Sequence, residues 1–446
     1  MPSNRKNVAP TPIETAGEVF PGGACIELIQ NPETAKLLLL FSDVKNCTAT
    51  DRIEHGGRTY IPLKLDSKTI HAMKLPDEAR DFHTTGDLFH AIRQIFADYG
   101  FWQNIAAAGT YFVFSSWFPD CTPTAPCLLV SGPKPEADLF FQIMACLVRH
   151  PLQLADFNWG NLYSVMKVQP TLLFGENLMS ASKLRMLFAS NNPQTLVPAE
   201  DTLVSFYSAK AIYRGAQFEE GSNDNSILRI NLMPVRGRLP ILSLQTQLEI
   251  ARKFQCQLLR YRIQNIEKVG DSVFDFPWLA AGPRILARVL GACIVDSPEI
   301  QADLTPIFRR QQQAVCENAW LDKYCIAIEV GLALCHSKPE EFFAFVGNFT
   351  DDVNTILKAR GNNELLEPRE MGSILRSLGL YPKRRTKGFA IRMTIEIRRM
   401  IHRLALEFDV AALMDEKPRC PHCHDVIKSD IAGASPATGS DDLPEP

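Results

Sequence analysis

Three stretches of this chain carry side chains whose types and spacing could do chemistry. In the first, Gly132-Pro133-Lys134-Pro135-Glu136-Ala137-Asp138-Leu139 lies between the apolar run Cys127–Val130 and a second run, LFFQIMACLVR. A glycine turn between a strand and a helix is where backbone N–H groups and a helix N-terminus together favour an anion. Set against the phosphate-cradling pattern G-x-x-x-x-G-K-[ST], Gly132 is kept, while Ala137, Asp138 and Leu139 fill the other three signature positions. Ala137 lacks the free backbone of glycine, Asp138 sets a negative charge against phosphate, and Leu139 has no hydroxyl for magnesium. Lys134, inside the loop, is the cation that could substitute. An ordinary tight strand-to-helix turn is the alternative account of the same residues. Further on, PTLLFGE (Pro170–Glu176) reads as a buried strand ending in an acid. Gly175 stands where a metal-associated aspartate would be; Glu176 keeps the place of a water-activating carboxylate, or else caps the following segment.

The second stretch is basic. From Arg376 to Arg403 the chain carries Arg376, Lys383, Arg384, Arg385, Lys387, Arg392, Arg398, Arg399 and Arg403 against one acid, Glu396, enough to neutralise several phosphates. Arg369 and Arg376 fall on a helix suited to a groove, and Lys383, Arg384, Arg385, Lys387 and Arg392 on a hairpin suited to backbone phosphates. A solvated or protein-facing surface is the alternative. The third stretch, Cys420-Pro421-His422-Cys423-His424, holds one C-x2-C knuckle. Cys420 and Cys423 with His422 or His424 could supply three zinc ligands, with a fourth from elsewhere in the fold or from a second chain; a solvent-exposed tail with incidental thiols is the alternative.

The elements that must position these residues follow from periodicity. Thr85–Tyr99 places Leu88, Ile92 and Ile95 at helical spacing behind a capping residue. From Phe101 onward, apolar runs alternate with helical segments: APCLLVSGP, PTLLFGE, VSFYSAKAIY and SILRINLMPV read as buried strands, as a parallel α/β sheet requires. After Pro240 the chain reads as consecutive helices. DDVNTILKAR ends at Gly361, and EPREMGSILRSLG has Pro368 in its first turn and Gly379 at its stop. LYPKRRTKGFAIRMT reads as a hairpin and IEIRRMIHRLALEF as a closing helix, the pattern of a winged-helix domain. The reading divides the chain into an unstructured 1–21, a small β-rich and helical region 22–100, an α/β core with helical extension 101–310, a helical linker and winged helix 311–410, and a disordered tail 411–446.

With 446 residues, 46% apolar and 22% charged, the chain reads as a globular protein of two or three domains. Its net charge of −3 gives no global affinity for nucleic acid, so any such contact must be local. No run approaches the roughly 18 apolar residues of a membrane span, and no signal peptide is evident. Ten of the twelve cysteines sit singly among apolar neighbours and read as buried thiols in a reducing cytoplasm.

With those residues in place, the chain resembles the P-loop helicase and primase-associated ATPases of phages, plasmids and integrated bacterial elements. The resemblance runs from Ser115–Asp120 (SSWFPD) through CLLVSGP, TLLFGE, YSAKAIYRG and NSILRINL into LLRYRIQN and LARVLGACI, and on to the winged helix. It implies an α/β P-loop NTPase-like core with a degenerate site at Gly132, Lys134, Asp138 and Glu176. Where the family carries an arginine, this chain has Asn225. The expectation is a non-catalytic, DNA-associated accessory or regulatory protein in replication or maintenance of a mobile element. No ATP, magnesium or membrane is expected, and zinc could bind only at the tail. Self-association and replication proteins are the partners considered besides DNA. The alternatives are an active helicase-type ATPase using Lys134 and Glu176, and a protein-interaction scaffold without nucleic acid.

Overall fold

The computed structural model describes residues 11–408 and 410, except for 44–45, 177–178, 200–201, 216–226, 236–237, 280, 312–322, 338–339 and 363–364. The chain forms two compact units, Met1–Arg309 and Arg310–Pro446.

The first unit opens with seven short strands: β1 (Ile13–Thr15), β2 (Gly17–Val19), β3 (Cys25–Gln30), β4 (Leu37–Ser42), β5 (Cys47–Thr50), β6 (Ile53–His55) and β7 (Arg58–Pro62). They make an antiparallel sheet β2-β3-β4-β5 and a second sheet β1-β7-β6. β1 and β2 fall inside the stretch expected to lack structure. β1 is held by parallel pairing with β7, Ile13 opposite Tyr60, a partner about 45 residues away in sequence that no local pattern announces. Helices α1 (Ser67–Ala72), α2 (Thr85–Asp98) and α3 (Gln103–Ser116) follow. α2 starts where the Thr84 hydroxyl accepts the Asp87 N–H at 3.0 Å, and Leu88, Ile92 and Ile95 are buried as their spacing predicts.

The centre is a five-stranded, all-parallel sheet: β8 (Cys127–Ser131), β9 (Pro151–Leu154), β10 (Thr171–Phe174), β13 (Lys210–Tyr213) and β14 (Leu228–Asn231) stand in the order β14-β8-β13-β10-β9. Between them come α4 (Lys134–Leu147), α5 (Trp159–Met166), α6 (Ala181–Ala189) and a hairpin of β11 (Leu196–Ala199) and β12 (Thr202–Ser205). The expected α/β core is therefore present. β9 was hidden in sequence because PLQL is too short and too mixed to mark a strand.

Strand alternation splits the side chains between two apolar layers. Leu128, Val130, Leu173, Ala211 and Leu228 pack with α2, α3 and α4 and with α7 (Leu244–Gly270). Cys127, Leu129, Leu172, Phe174 and Ile212 pack with α5 and α6. α8 (Ala281–Ala292) and α9 (Pro298–Ala302) complete the first layer. A buried ion network joins the small sheet to this core. Glu27 of β3 accepts from Arg149 at 3.0 Å and from Arg262 of α7 at 2.6 Å, and Arg262 also holds Asp120 at 2.5 Å. The residues assigned to 22–100 and 101–310 thus form one body.

The second unit runs α10 (Lys323–Ser337), β15 (Phe343–Phe345), α11 (Val346–Ala359), α12 (Pro368–Ser377), β16 (Lys383–Arg385), β17 (Gly388–Arg392) and α13 (Ile395–Glu407). Its sheet is antiparallel in the order β15-β17-β16, over a core that includes Ile326, Phe349, Val353, Leu357, Met371, Leu375 and Ile401. Gly361 and Gly379 end their helices at φ +84° and +78°. There Asn362 and Leu380 donate back to Leu357 and Leu375 at 2.9 and 2.8 Å, the glycine stop read from sequence.

Candidate functional site

In an open parallel sheet, ligands sit beyond the carboxyl ends of the strands where the chain's direction of travel reverses. Here that place lies between β8 and β13. From β8 the chain leaves through α4 to β9 at one edge, whereas from β13 it returns to β14 on the far side of β8. Gly132, Lys134, Asp138 and Glu176, about 40 residues apart in sequence, meet at this edge.

Lys134 Nζ lies 2.9 Å from Glu176 Oε1 and also bonds the Asp138 carboxylate. To reach Glu176 it passes the end of β13, its amine 5.9 Å from the centre of the Tyr213 ring. The Tyr213 hydroxyl in turn donates to the Gly132 carbonyl at 2.9 Å. Burial works against the charge on Lys134, but its hydrogen bonds to Asp138 and Glu176 outweigh that and hold the amine above its ordinary value. The ammonium is thus engaged by two carboxylates of its own chain.

The connection is far shorter than a phosphate loop. β8 ends at Ser131 and α4 begins at Lys134, leaving Gly132 and Pro133 to make the turn. This corrects the reading of Gly132–Leu139 as a loop. Ala137 and Leu139 are buried in the second turn of a helix, and Asp138 between them points to Lys134 as an i,i+4 partner. Pro133 and Pro135 have no N–H to offer an anion. Glu136 is buried and accepts the Val235 N–H at 3.0 Å. Gly132 is required by geometry: its φ is +119°, and a Cβ there would lie 2.4 Å from the Leu232 carbonyl oxygen. The residue overlooked in sequence is Arg214, one place beyond β13, whose Nη1 donates to the Met179 carbonyl at 3.0 Å. Asn225 lies outside the described residues.

In the second unit, Arg369 and Arg376 are exposed seven residues apart on α12, which puts them on one face of that helix. Lys383, Arg384 and Arg385 on β16, Lys387 in the turn and Arg392 at the end of β17 are exposed as well. Arg385 covers the Phe343 ring at 4.8 Å. Tyr381 and Phe389 stand 67% and 54% exposed among these cations, aromatic surface that sequence reading did not single out. Arg398 does not belong to the charged face: it is buried, and its Nη2 donates to the Glu341 carbonyl at 2.8 Å. Cys420, His422, Cys423 and His424 lie outside the described residues.

No family model and no curated protein matches the chain. Among solved structures, one described as the active helicase Cch of SCCmec type IV is similar at 10% identity, over 87% of this chain and 80% of that one, with a TM-score of 0.39. The C-terminal region of NrS-1, in its A-form apo structure, is similar at 11% identity over 83% of this chain and 96% of that one, with a TM-score of 0.31. Likeness at that level leaves the chemistry to the residues themselves. Among the described residues no helix is long and apolar enough to cross a membrane.

Proposed function

We propose that this chain is a DNA-associated accessory or regulatory protein of a mobile genetic element, built on a P-loop-like core in which an internal ion pair has replaced nucleotide chemistry. The observation that carries the reading is Lys134, engaged by Asp138 and Glu176 at the end of a two-residue turn. A triphosphate entering there would meet two carboxylates and two prolines where it needs N–H donors and an uncommitted cation. In the second unit, the order helix, strand, helix, helix, hairpin and helix, with β15 paired to β17, supports a winged helix. The exposed lysines and arginines of α12 and the hairpin support contact with phosphates.

Two measurements test the reading. Fluorescence anisotropy of labelled duplex DNA with the full chain should give binding whose logarithm falls steeply with the logarithm of salt. Changing Lys383, Arg384, Arg385 and Lys387 together to alanine should weaken binding and flatten that slope by about 3 to 4. Salt-insensitive binding, or none, would point instead to a protein-contact scaffold. In the second measurement, the pure protein should show no steady-state, magnesium-dependent ATP hydrolysis. Turnover that Glu176→Gln abolishes would sink the non-catalytic part.

One observation favours the rival enzyme reading: Lys134 and Glu176 do meet, 2.9 Å apart, at the edge where a nucleotide would bind. A rearranged active site would use Lys134 on phosphate and Glu176 on water. On that reading an ATP analogue binds with magnesium, and Lys134→Ala abolishes the binding.

A further inference from the structure

The hairpin of the second unit carries aromatic rings for which phosphate contact has no use. β16 and β17 pair in antiparallel register, Arg384 opposite Phe389, and every residue from Lys383 to Phe389 is exposed. A ribbon lying on a core buries alternate side chains. This one buries none until Ala390 and Ile391, which meet β15, so its outer half projects clear of the core with both faces open to solvent.

From Tyr381 to Arg392 the sequence YPKRRTKGFAIR holds five cations and no acid. Set among them, Tyr381 stands 67% exposed just ahead of β16, and Phe389 stands 54% exposed in β17. A third ring, Phe343 of β15, already lies under the Arg385 guanidinium at 4.8 Å. Tyr381 is three residues from Arg384, the partner of Phe389, about 10 Å along an extended chain. The two open rings therefore stand at either end of the Lys383–Arg384 segment. A single exposed ring on a protein surface needs no explanation, but two in one hairpin, each near a lysine or arginine, form a pattern with a chemical reading.

Cations alone suffice for a duplex, whose base faces are hidden in the stack and which offers a protein its backbone and its groove edges. An unpaired strand offers phosphates for the lysines and arginines and also flat base faces, on which aromatic rings and guanidinium planes stack. Rings and cations interleaved on an open ribbon are complementary to the unpaired strand and exceed what the duplex needs.

We propose that the β16–β17 hairpin binds single-stranded DNA, Tyr381 and Phe389 each stacking on an unpaired base while Lys383, Arg384 and Lys387 hold the phosphates. This rests on the DNA reading above and narrows it from phosphate contact to unpaired bases.

The test measures fluorescence anisotropy of the full chain with labelled probes at one salt concentration: an oligothymidylate strand, a blunt duplex of the same length, and an abasic strand that keeps the phosphates and lacks the bases. Oligothymidylate should bind more tightly than the abasic strand. Tyr381→Ala and Phe389→Ala should each weaken oligothymidylate binding about 5- to 150-fold, the loss of one stacked base, and leave duplex and abasic binding unmoved. Tyr381→Trp should restore what Tyr381→Ala loses. Both rings are more than half exposed, so neither alanine variant removes core packing, and unchanged urea unfolding checks this. Alanine variants that bind oligothymidylate like the wild type overturn the proposal. So does an equal loss on every probe, which would mean that the rings only shape the hairpin. In either case, steeply salt-dependent duplex binding by the wild type leaves the DNA reading standing, whereas no binding to any probe ends both. Ring-dependent binding to phosphatidylserine vesicles, with none to oligothymidylate, would make the hairpin a membrane contact and overturn the proposal too.

Discussion

The buried network of Glu27, Arg149 and Arg262, with Asp120 at its solvent edge, shows how single residues bind distant parts of the first unit. Arg262 is completely buried, yet its guanidinium bonds Glu27, Asp120 and the Trp117 carbonyl. A charge removed from water in this way is tolerable only when every partner is present. Burial alone would raise the Asp120 carboxyl, but Arg262, with Arg149 behind it, holds it down to about 2. Its folded-state value thus lies below the unfolded value of about 3.9. The stabilisation is complete above pH 4 and is lost as pH falls through 2. Melting temperature followed from pH 5 to pH 2 should fall more steeply for the wild type than for Asp120→Asn, which should also be less stable at pH 7. Parallel curves would mean that Asp120 does not feel Arg262. None of this was legible in sequence, because the hydrogen-bonded partners are separated by more than 100 residues and Arg262 is one of several cations along its helix, with nothing local to mark it as the buried one.

At the level of elements, the turn between β8 and α4 decides what the sheet can bind. Gly132→Ala would drive a Cβ to 2.4 Å from the Leu232 oxygen in a backbone conformation that side chains avoid, and should cost about 2–4 kcal/mol in urea unfolding. A loss below about 0.5 kcal/mol would show that the turn is built differently. The elements were legible where local chemistry dictates them. Glycine stops placed the ends of α11 and α12, continuous apolar runs placed β8 and β10, and the Thr386-Lys387 turn placed the hairpin. The start of α4 was not, because Pro133-Lys134-Pro135 reads as loop although proline fits a helix's first turn. The charged partners of that turn were each noted as residues, but only the fold could show that Lys134 is bound by Glu176.

Among the described residues the two compact units share no core residue: the first holds one apolar cluster on each side of its parallel sheet and a third among the N-terminal strands, and the second holds its own. Separate cores unfold as separate cooperative bodies. Scanning calorimetry should resolve more than one transition. Leu357→Ala, which empties a fully buried position of the second unit, should destabilise that unit by about 2–5 kcal/mol and leave the other transition where it is. A single transition that moves as one would contradict the division.

The brevity of the β8–α4 connection also limits how this protein could change. Ala137, Asp138 and Leu139 sit one turn into a packed helix, so replacing them with glycine, lysine and threonine would not rebuild a phosphate cradle; it would put a cavity and a mismatched hydroxyl into the core at 137 and 139 and set a second ammonium beside Lys134 at 138. Recovery would require several inserted residues to lengthen the connection, together with release of Lys134 from its carboxylates. A lineage that passed through this arrangement could not return by single substitutions, and a laboratory effort to install hydrolysis should begin by grafting a longer segment between Ser131 and Phe140.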